Sequence, residues 1–283
     1  MTKAVKNYPL SLVSAREIAS FRRTVYRYYH SHVRSMPWRD DTSPYCIFVS
    51  EVMLQQTQLE RVIKKFPLFI ERYRSFSDLA RGSLAEIFSV WQGLGYNRRA
   101  KWLRDASRMI MEKFHGVLPE DPEQIAKLPG IGKNTAAAIA VYAFNHPVAY
   151  IETNIRSVFI HHFFQASSEV TDEQILPLVK RACDKKNPRE WYWALMDYGT
   201  HLKEIHKNPS RKSAHYRPQT PFKNSDRRIR GIIIKTIGDN GTIAKNVLYT
   251  ATGEIPGRID RIVDSLVKEG LVREEKGTYR IGD

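Results

Sequence analysis

Apolar residues recur at three- and four-residue spacing along most of the chain, a pattern that predicts a succession of amphipathic helices. Ser14 followed by Glu17 has the spacing of a capping box and opens a first helix over AREIASFRRTVYRYYHSHVRS. Met36-Pro37-Trp38-Arg39 ends it, and the polar turn from Asp40 to Pro44 leads into YCIFVSEVMLQQT, a largely apolar helix that contains Glu51. Helical spacing continues through RVIKKFPLFIERY, SLAEIFSVWQGL and RRAKWLRDASRMIMEKF, the last two separated by Gly93-Leu94-Gly95-Tyr96-Asn97-Arg98-Arg99. Asp121 is placed to cap a helix that enters Leu128-Pro129-Gly130-Ile131-Gly132, and helical pattern resumes at Lys133. Further helices follow Asn154, start near Thr171, and span WYWALMDYGTHLKEIH.

From His201 to Lys223 the pattern fails: the stretch is basic, punctuated by proline and poor in aliphatics, which predicts a linker. Beyond it, RRIRGIIIKTIGDN, TIAKNVLYTATG and IPGRIDRIVDSLVKEGL read as three helices, and LVREEKGTYRIG reads as two strands around Lys276-Gly277. That is the winged-helix order, in which the third helix commonly enters the major groove, so Arg258, Arg261 and Lys268 are candidates to meet DNA, with Arg273 and Lys276 on the wing. The expected organisation is a helical domain over 1–200, a basic linker over 201–223 and a winged-helix-like domain over 224–283. A chain of 283 residues is long enough for two domains and a sizeable core.

Charge narrows the partner. The formal net charge is +15 and the isoelectric point is near 9.8, an excess that favours a polyanion through counterion release. An anionic membrane surface competes with that reading, but no apolar run approaches spanning length and MTKAVKNYPLSLVSA lacks the apolar core of a signal peptide. A cytoplasmic protein is expected, associated with the nucleoid in a prokaryote. Only Cys46 and Cys183 are present, too few for a four-thiolate iron–sulfur cluster or a cysteine-rich zinc site, so both are expected to be buried small apolar residues.

Two stretches carry candidate chemistry. A hairpin that ends at a helix N-terminus offers backbone N–H groups at the positive end of the helix dipole, a setting that suits phosphate. Gly130 and Gly132 permit close approach and Lys133 adds a cation, although the same residues also make an ordinary helix–helix turn. Glu51, amid apolar neighbours, is either turned to solvent or held where desolvation raises its pKa. The Gly93–Arg99 loop, with an apolar tip, an aromatic ring and two arginines, suits insertion into a groove or stacking on a base, or else simply connects two helices.

SEVMLQQTQ at 50–58, GLGYNRRA at 93–100, LPGIGKNTAAA at 128–138 and IETNIRSV at 151–158 together resemble the helix-hairpin-helix (HhH-GPD) DNA glycosylases, most nearly the MutY-type adenine glycosylases. The resemblance runs from about Pro37 to Gly199. It implies an all-α glycosylase fold, two helical subdomains with the active site between them, followed here by the small winged-helix-like α+β domain. It implies a base-excision enzyme, expected as a monomer, that flips a base from duplex DNA and hydrolyses its N-glycosidic bond. Adenine or another purine in a mispair is the expected target, with hypoxanthine, or thymine or uracil opposite guanine, as alternatives; a non-catalytic DNA-binding protein is a third reading.

By that resemblance Glu51 is the acid that protonates the departing base, Glu152 stands where the family has an aspartate that stabilises positive charge on the sugar, and Asn154 belongs to the same catalytic segment. Gln55 and Gln56 enter the duplex, Leu94 and Tyr96 read the opposing base, and Gly130, Gly132, Lys133, Asn134 and Thr135 hold phosphate. The carbonyls of Leu128 and Gly130 are where relatives hold a monovalent cation. Cleavage of an N-glycosidic bond needs one acid that keeps its proton and another that stays ionised, roles expected of Glu51 and Glu152 respectively. Three departures stand out. Asn134 occupies the position of the nucleophilic lysine in strand-cleaving relatives, Glu152 is one methylene longer than the usual aspartate, and the cluster cysteines expected after Gly199 are replaced by basic sequence. No iron–sulfur cluster and no strand cleavage are therefore expected, and no nudix-like C-terminal domain is evident.

Overall fold

The structure is a computed structural model that describes residues 13–218, 222 and 224–283. The N-terminal twelve residues that bear on a leader, and the end of the expected linker at 219–221 and 223, lie outside the described residues. The helices in the first part of the chain are α1 (Ala15–Ser31), α2 (Pro37–Asp40), α3 (Pro44–Leu54), α4 (Leu59–Arg72), α5 (Phe76–Arg81), α6 (Leu84–Trp91), α7 (Arg98–Phe114) and α8 (Pro122–Ile125). They are followed by α9 (Lys133–Phe144), α10 (Thr153–Phe163), α11 (Asp172–Ala182) and α12 (Pro188–Ile205). The C-terminal part holds α13 (Asp226–Asn240), β1 (Ile243–Ala244), α14 (Lys245–Thr252), α15 (Pro256–Lys268), β2 (Val272–Glu275) and β3 (Thr278–Ile281). Among the described residues no helix is long and apolar enough to cross a membrane.

Two compact units emerge. The first takes the described residues up to Thr42, with Glu120–Glu123 and Gly132–Pro218. Its core forms where α10 packs on α12 and α12 on α1, around the fully buried Trp191, Tyr192 and Phe159. The Ser14 hydroxyl accepts from Glu17 N and the Glu17 carboxylate accepts from Ser14 N, so the capping box forms as its spacing predicts. Asp197 on α12, 2% exposed, accepts from the guanidinium groups of both Arg34 and Arg39, which satisfies a carboxylate that would otherwise be costly to bury.

The segment expected to be a linker is packed in its first part. His201–Ile205 complete α12, Pro209–Lys212 form a 3-10 turn against α10, and Val170 N donates to Lys212 O while Ala214 N donates to Val170 O. The sequence lacks aliphatic periodicity here because a single turn, anchored by buried Pro209, Ser210 and Ser213, replaces helix-on-helix burial.

The second unit takes Ser43–Pro119, Gln124–Ile131 and the described residues from 222 on. Helix α3 lies at its centre, against α4 and α7, with Tyr45 through Ser50, Val52 and Met53 all buried. The C-terminal elements have the winged-helix order, with a short strand that the helix-like sequence TIAKN hides. The sheet runs β1-β3-β2, antiparallel throughout, with Val272 opposite Ile281 and Glu275 opposite Thr278. Lys276 and Gly277, both at positive φ (50° and 76°), close the β2–β3 turn. Cys46 and Cys183 are both buried.

Within this unit α13 packs on α6, and Glu269 at the end of α15 joins the wing domain to α7. It accepts from Arg98 Nε at 2.9 Å and Ser265 Oγ at 2.9 Å, and also from Arg230. Burial pushes its carboxyl up, but the hydrogen bonds from Arg98, Arg230 and Ser265 outweigh that and hold it at about 2. A depressed carboxylate contributes stability that is present above the ordinary glutamate range and lost as pH falls toward 2. Thermal melts of the wild type are therefore expected to drop more steeply between about pH 5 and pH 2 than those of Glu269→Gln. Parallel curves would remove Glu269 from the acid response.

Candidate active site and nucleic-acid interface

In the second unit the site residues are held by Arg99. Its guanidinium is 4% exposed at the residue level and reaches across the C-terminal end of α3. Nη1 donates to the carbonyls of Val52 (2.8 Å), Met53 (2.9 Å) and Gln55 (2.6 Å). Nη2 donates to Thr57 Oγ1 (2.8 Å) and to the carbonyls of Leu94 (3.3 Å) and Gly95 (3.0 Å). The Val52, Met53 and Gln55 carbonyls are those that the end of α3 leaves without helical partners, at the negative end of its dipole. Burial pulls the guanidinium down to about 10, so it remains a cation at neutral pH. One side chain thus fixes both the Gln55–Gln56 turn and the Gly93–Asn97 loop.

Glu51 is the one residue between Tyr45 and Met53 that is not buried, so an otherwise fully packed helix presents a single acid at its accessible edge. Gln55 donates from Nε2 to Gly130 O at 3.3 Å, and Gln56 is exposed with φ of 54°, a left-handed conformation that is costly for a side chain of this kind. Leu94 departs from the expected apolar tip. It is 3% exposed and anchors the loop to the core, because an isolated leucine on a short glycine loop gains more by burial than by projecting into water. Tyr96 is not an open stacking platform either: Arg99 and Arg227 lie over its ring at 5.4 and 5.1 Å, and Arg227 donates to its hydroxyl.

A cavity of about 560 Å³ is lined by Gln55, Gln56, Tyr96, Asn97, Arg227 and Arg230, and neither Glu51 nor Leu94 is among its walls. The far wall is α13, an element whose place at this loop nothing in the local sequence signals. On α15, Arg258 is tied to Asp226 and Glu254, whereas the Arg261 side chain stays 69% exposed while touching Asp226. Of the three expected DNA contacts on this helix, Arg261 and Lys268 are exposed and Arg258 is the one tied up.

At the hairpin, Gly130 has φ of 75° and a Cβ there would lie 2.7 Å from Trp102, so the residue must be glycine for two separate reasons. Gly132 faces open space and caps α9 without a side chain, which leaves room for a backbone phosphate to approach the first turn. Lys133 and Asn134 are exposed there. The carbonyls proposed for a cation are already engaged, Leu128 O by Ile131 N at 3.1 Å and Gly130 O by Gln55.

In the first unit, Asn134 donates from Nδ2 to Ile151 O at 2.9 Å and so ties α9 to the strand of chain before Glu152. Glu152 caps α10, its Oε1 accepting from Asn154 N at 2.5 Å and Ile155 N at 2.8 Å. Part of the side chain meets solvent, yet protein packed around the carboxyl pushes it above the usual range, against the Ile155 and Asn154 amides and the charges of Lys203 and Arg156. The family resemblance implies the ionised role for Glu152; the structure adds a desolvation that opposes it. Lys203, absent from the sequence candidates, donates to Asn154 Oδ1 at 2.6 Å. The signal that finds it is spacing on α12, where Met196, Gly199 and Lys203 share one face.

Residues 49–185 match the family described as HhH-GPD superfamily base excision DNA repair protein. The chain is 34% identical over 184 residues to an adenine DNA glycosylase of Buchnera aphidicola subsp. Baizongia pistaciae, a match that covers 63% of this chain and 52% of that protein. It therefore spans about half the length of that relative. An adenine DNA glycosylase of Mycolicibacterium smegmatis is 29% identical over 273 residues, which cover 85% of this chain and 88% of the relative. Among solved structures, a thermostable thymine-DNA glycosylase superposes with a TM-score of 0.62 at 23% identity, over 71% of this chain and 94% of that one, a likeness of fold.

Proposed function

We propose that the chain is a monofunctional DNA glycosylase of the HhH-GPD superfamily that removes a purine, adenine foremost, from mispaired duplex DNA, a reading supported by the match of residues 49–185 to that family of base excision DNA repair proteins. The observation that carries the reading is Glu51, a lone accessible acid on a helix whose neighbouring positions are buried. In this reading Glu51 protonates the leaving base and then assists the attacking water, while Glu152 stabilises the developing positive charge on the sugar. The Gln55–Gln56 turn enters the duplex, and the open glycine at 132 receives a phosphate. Asn134 supports a single activity: its amide is no nucleophile, so no Schiff base forms at that position.

Single-lesion duplexes carrying adenine opposite 8-oxoguanine or guanine, hypoxanthine, and thymine or uracil opposite guanine test it directly. Base release from an adenine duplex is expected, with strand breakage appearing only after alkali. Nicking without alkali or heat would overturn the monofunctional assignment. Tight, salt-dependent binding with no base release from any duplex would identify a DNA-binding protein instead.

A further inference from the structure

Met196, Gly199 and Lys203 fall at i, i+3 and i+7 of α12, which places them on one face of the helix. All three meet the start of α10. Met196 Sδ lies 3.8 Å from Asn154 Nδ2, and a Cβ on residue 199 would lie 2.5 Å from Asn154 O and 2.7 Å from its Cβ. The two helices approach this closely only because residue 199 has no side chain. One turn further on, the approach brings Lys203 Nζ within 2.6 Å of Asn154 Oδ1. Long cationic side chains are seldom drawn inward without a partner.

The charges acting on Glu152 come from two helices, Lys203 on α12 and Arg156 on α10. Arg156 is already matched, since Nε and Nη2 donate to the two carboxylate oxygens of Asp172 on α11, each at 2.7 Å. The 3-10 turn packed on α10 carries Arg211 and Lys212, and Lys212 Nζ is spent on Gln165 O at 2.7 Å. From α9 comes the neutral Asn134 amide. Of the two cations that act on Glu152, Lys203 is the one not paired with Asp172. Burial draws the Lys203 ammonium below the usual lysine range and the charge of Glu152 opposes that, so packing disfavours charge on both groups while each works against its loss in the other.

We propose that Lys203 is the positioning residue of this half of the site: from the Gly199 face of α12 its ammonium fixes the side-chain amide of Asn154, whose backbone N–H donates to Glu152, and so holds a positive charge near that carboxylate. The longer glutamate and the lysine then form one device, in which packing that disfavours charge at 152 is offset by a cation delivered through the glycine contact. The catalytic meaning rests on the glycosylase reading; the charge pairing does not.

The test is a carboxyl titration of glutamate-labelled full chain by carbon NMR, with the Glu152 signal identified by its loss in Glu152→Gln. Lys203→Met is expected to raise the Glu152 midpoint by about one pH unit, a tenfold change in its ionisation constant, and Lys203→Arg to restore most of it. If Lys203→Met does not fold, Lys203→Gln makes the same comparison with a donor to Asn154 retained. An unmoved midpoint in a folded variant overturns the proposal. In single-turnover excision the low-pH limb should move upward with the carboxylate in Lys203→Met while duplex affinity is unchanged. A rate lowered equally at every pH, with the limb in place, overturns the positioning role. Failure of the wild type to release any base overturns the glycosylase reading, and the titration then decides the charge pairing alone.

Discussion

Glu51→Gln is expected to lower single-turnover base release by about a thousandfold, within the range contributed by a positioned general acid, while duplex affinity stays within about twofold. Glutamine keeps the size and the polar contacts of the side chain but carries no transferable acidic proton. Its cost in stability should be small, because position 51 is the accessible edge of α3 and the helix core on either side of it is untouched. Rapid-quench excision beside gel-shift titration measures both quantities. Wild-type turnover in the variant would take Glu51 out of the mechanism, and a parallel loss of affinity would make it a binding residue.

The second large effect is on stability. Arg99→Met should destabilise the chain by about 3–5 kcal/mol in chemical denaturation, the range for breaking a buried charged network. Methionine fills the aliphatic volume but supplies none of the six hydrogen bonds that Arg99 makes to Val52, Met53, Gln55, Thr57, Leu94 and Gly95. The carbonyls left behind are buried or partly so, and each unpaired one is costly. Arg99→Lys should recover little, because one ammonium cannot span the two sets of acceptors that a planar guanidinium bridges. A loss below about 1 kcal/mol in Arg99→Met would show that water replaces the guanidinium and that the loop and turn are held by other contacts.

Arg99 also shows where reading by sequence stops. In the sequence it is one of two adjacent arginines at the end of a glycine-flanked loop, and nothing local says which way its charge turns. Its inward role depends on the carbonyls of Val52, Met53 and Gln55 and the hydroxyl of Thr57, more than forty positions away, and on the packing of α7 against α3. Leu94 and Tyr96 were misplaced by the same limit. A leucine between two glycines carries no local mark of whether a core lies beneath it, and the ring of Tyr96 looks open until Arg227 arrives from α13. The packed turn at Pro209–Lys212 escaped notice because it is built from proline, serine and backbone bonds, which leave no hydrophobic period.

The longer helices, the Ser14 capping box and the glycine hairpin were legible in the residues, because each follows from spacing and backbone freedom within a dozen positions, whereas the short helices Pro37–Asp40 and Phe76–Arg81 and the strand Ile243–Ala244 left no such pattern. The sequence by itself also marked Glu51, Glu152 and Asn134, since their chemistry is a property of the side chain and its place in a motif. Tertiary structure decided the electrostatics: which carboxyl is crowded by protein, which lysine faces it, and which arginine is spent on carbonyls instead of phosphate. Those outcomes depend on desolvation and on distances between helices far apart in the chain, and at Glu152 they turn on a glycine contact between α10 and α12 that has meaning only once the two helices meet.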